Sequence, residues 1–261
     1  MRGLLRGWTL AVLALVYLPI LAGALAGLSR SRYFLFPPRD WARDWSLDWW
    51  AKVAGALEIR ALVANSLLIA AVVTVLAVGF GLCGALAFAR HGWRGRRWFQ
   101  RLVLLPLCFP QPVLGLAALM WFDTLGIGTG WRTAAVAHLV WIVPVVTLVI
   151  AIRVYGFDPA LEEAAADLGA SRLAIWREVT LPMLWPGIWS GALFAFLLSW
   201  GNFPLSLYTA GADGTVPKWL YAKMVAGYSP MVPALGTMST IAAALVLGAG
   251  AAVARLARGR G

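Results

Sequence analysis

Apolar residues in this chain come in long runs, not in alternation. The runs fall at 8–28, 61–88, 102–121, 133–152, 186–207 and 234–254, each close to the roughly 20 residues that a helix needs to cross a bilayer. No stretch alternates with a period of two, which argues against a β-barrel, and no sequence unit of solenoid length repeats. The pattern predicts an all-α, polytopic membrane protein of about six transmembrane helices, with residues 1–261 forming a single transmembrane domain. The first run follows Arg2 and Arg6 as a signal peptide would. It is too long for a signal h-region, so an uncleaved first span is expected.

The segments between runs differ in kind. Segment 29–60 carries Trp41, Trp45, Trp49 and Trp50. Trp45, Trp49 and Lys52 are spaced for one helix face, which predicts an interfacial helix in the aromatic belt. Segment 208–233 holds Gly211, Asp213-Gly214, Pro217, Pro230 and Pro233. That is turn chemistry around a short helix near 216–227, in an external or re-entrant piece. Pro106, Pro110 and Pro112 with Gln111 should break the third run. Kinks there can line a pathway, because freed backbone groups must face protein or water.

Composition agrees. The chain is 61% hydrophobic and 13% charged, with mean hydropathy +0.79, which excludes an ordinary soluble domain and a disordered chain. A net charge of +11 would suggest nucleic acid in a soluble protein. Here the basic residues lie between apolar runs, so membrane lipid is the expected partner and nucleic acid is not. Arg2, Arg6, Arg90, Arg94, Arg96, Arg97, Arg101, Arg153, Arg172, Arg177, Arg255, Arg258 and Arg260 share one side. The opposite side carries fewer, among them Arg30, Arg32, Arg39, Arg43, Lys52 and Arg60, with Asp40, Asp44, Asp48 and Glu58 among them. The positive-inside rule then gives N-in and C-in. Cys83, Cys108, His91 and His138 are the only cysteines and histidines and make no metal set. No nucleophile–base pair stands out, so no enzyme is expected.

Segment 153–185 is unlike the rest. It holds Asp158, Glu162, Glu163, Asp167 and Glu178. Asp158 suits an N-cap and Pro159 the first helical position. Glu162 and Glu163 fall in the first turn, where the helix dipole favours acids. Ala164, Ala165 and Ala166 propagate a helix, and Gly169 can stop it in the left-handed conformation. Ser171 is placed to cap a second helix, 172–180, ended by Pro182. The small face lets another backbone approach, and the acids can meet Arg or Lys on a partner, so the helix suits a groove.

Glu163-Ala164-Ala165, Gly169 and Val179-x-Leu181-Pro182 resemble, in every spacing, the EAA loop of binding-protein-dependent ABC importer permeases. The resemblance covers about 55–255, including Asn65-Ser66. It implies a type I importer transmembrane domain in a bacterial cytoplasmic (inner) membrane. Its coupling-helix loop would be cytoplasmic, with Glu162, Glu163, Ala164, Ala165, Asp167, Gly169, Leu181 and Pro182 docking an ATPase. The implied partners are two ATPase copies, a second permease subunit, homologous or identical, and an external solute-binding protein. The residues support this division of labour. The only lysines are Lys52, Lys218 and Lys223, preceded by Ala51, Pro217 and Ala222, so no P-loop Gly-Lys-Ser/Thr exists. No cofactor is expected on this chain; ATP and Mg would be used by the partner ATPase.

Leu197-Leu198-Ser199-Trp200, the stretch from Pro217 to Met224, and Ser229-Pro230-x-Val232-Pro233 resemble the spermidine/putrescine branch. That resemblance implies a polyamine solute. Gly201-Asn202 departs from it, since that branch usually carries Asp there. Other small solutes (phosphonate, thiamine or another organic ion) are the alternative, and a secondary carrier a remoter one. Trp200, Asn202 and Tyr208 are the candidate solute site, because Trp rings hold ammonium groups; the other reading is helix packing. Asp123 either attracts a cation or pairs with Arg132. His138 is expected as a hydrogen-bonded packing residue.

Overall fold

The computed structural model describes residues 2–30, 43–90, 92–227 and 229–258. Arg32, Arg39, Asp40, Trp41, His91 and Arg260 lie outside the described residues. Twelve helices follow in order among the described residues: α1 (Arg2–Ala26), α2 (Asp48–Gly55), α3 (Leu57–Ala89), α4 (Arg96–Leu104), α5 (Gln111–Thr124), α6 (Trp131–Tyr155), α7 (Ala160–Asp167), α8 (Arg172–Ile175), α9 (Leu181–Trp200), α10 (Pro204–Thr209), α11 (Val216–Ala226) and α12 (Met231–Arg258). The fold is all-α: the described residues form no strand, only a single bridge between Ser29 and Trp45.

Five helical segments are long and apolar enough to span: Gly3–Ala26, Leu57–Ala89, Trp131–Tyr155, Arg172–Trp200 and Met231–Gly250. The expected third span, 102–121, is not one straight helix. It is a pair, Arg96–Cys108 and Gln111–Thr124, bent by 101°. Pro106 sits in a 3₁₀ turn, Leu105–Cys108, and Pro110 precedes α5 with Pro112 in its first turn. Prolines remove N–H donors, and the residue before each is biased against helix, so the chain turns there.

Two further boundaries differ from the sequence reading. The helix expected to stop at Pro182 runs on: α8, a π turn (Trp176–Thr180) and α9 form one span. Pro182 falls in the first turn of α9, directly after the π turn, whose wider register spares the carbonyl that a proline ring would strike. The fifth span also ends early. α9 stops at Trp200, and 204–209 forms the separate α10. Trp45 lies outside the interfacial helix, which begins at Asp48; Trp49 remains on it, its ring 4.2 Å from the Lys52 ammonium.

The chain divides into two compact units, 1–63 with 218–246 and 64–217 with 247–261. In the first, the Trp219 indole N–H donates to Glu58 at 2.8 Å, and a Cβ on Gly27 would lie 2.9 Å from the Ala234 nitrogen. The second holds the main core: Ile69, Val73, Ile142, Val146, Ile150 and Leu184 are all essentially buried. Helices there approach through small residues. Gly187 and Gly191 of α9 face Arg153, Val146 and Ile150 of α6, and Gly81 and Gly84 of α3 face Val146 and Thr147. In lipid, association depends on such close packing. α6 is the most enclosed span, half buried along its apolar window against 6% for α1. The exposed Leu4, Leu15, Val75 and Leu245 suit lipid, where apolar side chains lose nothing.

Candidate functional site

The loop after α6 folds largely as its sequence dictates. The Asp158 carboxylate accepts the Ala160 N–H at 3.0 Å, which satisfies an orphan donor at the start of α7. α7 ends in a Schellman turn: Ala170 N–H donates to Ala165 O at 3.0 Å and Gly169 N–H to Ala166 O at 2.9 Å. Gly169 has φ +85, the conformation in which a Cβ is penalised. The Ser171 hydroxyl accepts the Ala174 N–H at 3.3 Å and caps α8.

α7 buries none of its residues. Glu163, Ala164, Ala166, Asp167 and Gly169 are exposed, and Ala165 is half-buried. The result is a small, acid-bearing face open to a partner. Glu162 differs from the expectation. It turns inward, pairs with Arg90 at the end of α3 and accepts the Thr180 hydroxyl. An intramolecular cation meets it, so it is not among the acids presented outward. Leu181 is half-buried and Pro182 exposed, both inside the continuous helix. Sequence reasoning missed Arg90 and Thr180. Each looks ordinary in its own segment, a basic residue ending a span and a threonine in a helix.

The candidate solute residues are spread over the α9–α10 junction. The Asn202 side chain is buried, and its oxygen accepts the Leu205 N–H at 3.1 Å, capping α10. Trp200 stacks on Phe196, with centroids 6.3 Å apart and planes at 9°. Tyr208 sits against α5, where a Cβ on Gly115 would meet its ring at 2.8 Å. Asp123 is exposed at the end of α5. It makes no salt bridge with Arg132 among the described residues, and Arg132 lies over the Trp131 ring at 5.4 Å. Of the two readings of Asp123, the pairing with Arg132 is not made.

His138 is buried and bridges two hydroxyls, Ser199 and Ser206, as a packing residue should. Asp213 accepts the Trp131 N–H at 3.0 Å, where the α6 dipole favours an acid. Asn65 donates to Gly214 O at 3.0 Å, and Ser66 accepts the Val216 N–H at 2.9 Å. These residues fasten the 209–216 turn to α3 and α6. The arrangement is a set of helices with a polar-braced turn and a presented loop.

Residues 77–259 match the family whose members are the binding-protein-dependent transport system inner membrane component. The putrescine transport system permease protein PotI of Escherichia coli K12 is 34% identical over 181 residues, which are 66% of this chain and 64% of that protein. The match thus spans just under two thirds of that relative's length. The spermidine/putrescine permease PotC of Haemophilus influenzae is 29% identical over 90% of this chain and 91% of its own. The molybdenum transport system permease protein ModB of Mycobacterium bovis is 35% identical over 90% of this chain and 93% of its own. Among solved structures, a bacterial ABC transporter importing the acidic polysaccharide alginate superposes with TM-score 0.68 at 19% identity, covering 95% of this chain and 94% of that one. The MetNI methionine transporter gives TM-score 0.62 at 20% identity, covering 77% and 99%. These likenesses show the same fold. With the family match over most of its length and a permease 35% identical over 90% of it, the chain belongs to the family of inner-membrane components of binding-protein-dependent transport systems.

Proposed function

We propose that the chain, as one transmembrane domain, is the permease subunit of an ATP-driven importer and forms part of the path of a polyamine. The observation that carries the importer reading is the α7 loop, rigidly ended by its Schellman turn at Gly169 and bare of internal burial. Such an element suits a groove on a cytoplasmic ATPase. Two ATPases, using ATP and Mg, a second permease subunit and an external binding protein complete the assembly. The chain itself does no bond chemistry. Both termini lie on the cytoplasmic side, as does the α7 loop.

The polyamine reading rests on the putrescine and spermidine/putrescine relatives and on Trp200 as a cation–π partner. A second reading, a molybdenum-containing anion, is favoured by the 35% identity to the molybdenum permease and by uncharged Asn202. The test is uptake into proteoliposomes holding the chain with its ATPase, second permease subunit and binding protein. Labelled putrescine, spermidine and molybdate are compared with and without ATP. ATP-dependent polyamine uptake supports the proposal. Molybdate uptake alone selects the second reading, and uptake without ATP rejects an importer in favour of a secondary carrier.

A further inference from the structure

Three segments meet at one polar joint. Arg90 follows the last residue of α3, Glu162 lies in the first turn of α7, and Thr180 closes the π turn before α9. Glu162 pairs with Arg90 and accepts the Thr180 hydroxyl. The two charged side chains are only 27% and 19% exposed, and Thr180 is buried. A pair so shielded is screened less than a surface pair. Arg90 also lies over the Phe157 ring at 5.5 Å, in the strap leading into α7.

None of the α7 residues is fully buried, and Ala165 is half-buried. Arg90, Glu162 and Thr180 themselves line a pocket of about 360 Å³, with Leu86, Ile175 and Trp176. The Glu162 contacts tie α7 to Arg90 after α3 and to Thr180 before α9. Without them, α7 would keep its contacts with α8 and the π turn, and a push on it would reach α3 less directly.

We infer that Arg90 and Thr180 are positioning residues for coupling: through Glu162 they bind α7 to the ends of α3 and α9, so that movement of the loop reaches two helices at once. The inference rests on the permease reading above.

The test is solute uptake per ATP hydrolysed by the complete complex in proteoliposomes. Arg90→Glu and Glu162→Arg should each lower that ratio about tenfold, and the two together should recover about half of it, as expected for a directly interacting pair. Thr180→Ser should stay within about twofold of the parent, while Thr180→Val, which keeps the shape but not the donor, should fall several-fold. Co-purification of the ATPase reports assembly, and if the charge variants do not assemble, the Thr180 pair decides. Assembled double variants as poor as the singles, singles that transport normally, or Thr180→Val equal to Thr180→Ser would overturn the joint. A parent protein with no ATP-dependent uptake would instead reject the permease reading.

Discussion

His138 Nδ1 lies 2.9 Å from Ser199 Oγ, so a buried imidazole on α6 ties α6 to the last turn of α9. Its other nitrogen lies 3.0 Å from Ser206 Oγ on α10. One residue thus holds both sides of the break at 201–203. A neutral imidazole can serve both hydroxyls, because one nitrogen donates and the other accepts. His138→Leu should destabilise by about 1 kcal/mol, the scale of interhelical hydrogen bonds in membranes, and His138→Gln by less. Thermal denaturation of the detergent-purified protein measures this; a leucine variant as stable as the parent would show that the bridge is idle.

Gly169 stands at φ +85 with nothing within 4 Å of a built Cβ. Any penalty on substitution is therefore backbone strain and not a clash. Gly169→Val should cost about 1–2 kcal/mol in the turn and redirect α7, so that ATP hydrolysis proceeds with little uptake. Gly169→Asn, which tolerates the left-handed region, should keep most of the uptake. Equal transport by both variants would contradict the docking role of the loop.

Gly115 is where α5 and α10 touch. A Cβ there meets the Tyr208 ring at 2.8 Å and the Pro204 carbonyl at 3.0 Å. Overfilling such a contact costs about 1–3 kcal/mol, so Gly115→Val should displace α10 and depress uptake more than Gly115→Ala does. Stability and uptake measured together on the purified variants test it. No effect from valine would mean that α10 is free to yield.

Asn202 caps α10 through its side-chain oxygen, and an aspartate retains that acceptor. Asn202→Asp should therefore keep the α10 cap and place a carboxylate in the candidate path. Uptake of a cation should hold or rise and that of an anion fall, by Coulomb sign. Trp200→Ala should raise the KM for a polyamine several-fold, from loss of about 0.5–2 kcal/mol of cation–π attraction. The reverse pattern in competition assays would move the solute from polyamines to an anion.

Topology is open to direct measurement. Single cysteines at accessible positions within 40–48 and 211–216, such as the exposed Leu47 and Asp213, should react with an impermeant reagent outside intact cells, and those at 94–97 and 162–178 should not. Reaction of the 162–178 set from outside would reverse the orientation given by the basic residues.

Much of this molecule was legible because the physics is local. Run length sets a span, and that holds for α1, α3, α6 and α12. The Asp158 and Ser171 caps and the Gly169 turn depend on neighbours a few positions away, and they formed where the sequence put them. The α11 helix near 216–227 is also present.

The sequence alone determined the class of protein, the number and rough extent of its apolar segments, and the local frame of the presented loop. Tertiary structure decided the rest. A proline guarantees a lost donor but not its consequence: at Pro182 a π turn carries the helix through, while at Pro106 and Pro110 the chain bends by 101°. Whether Glu162 faces a partner or Arg90, whether Asp123 meets Arg132, and which hydroxyls His138 finds depend on residues far apart in the chain. Such side chains pair only after helices pack, and helix periodicity carries no information about which face of one span meets which face of another.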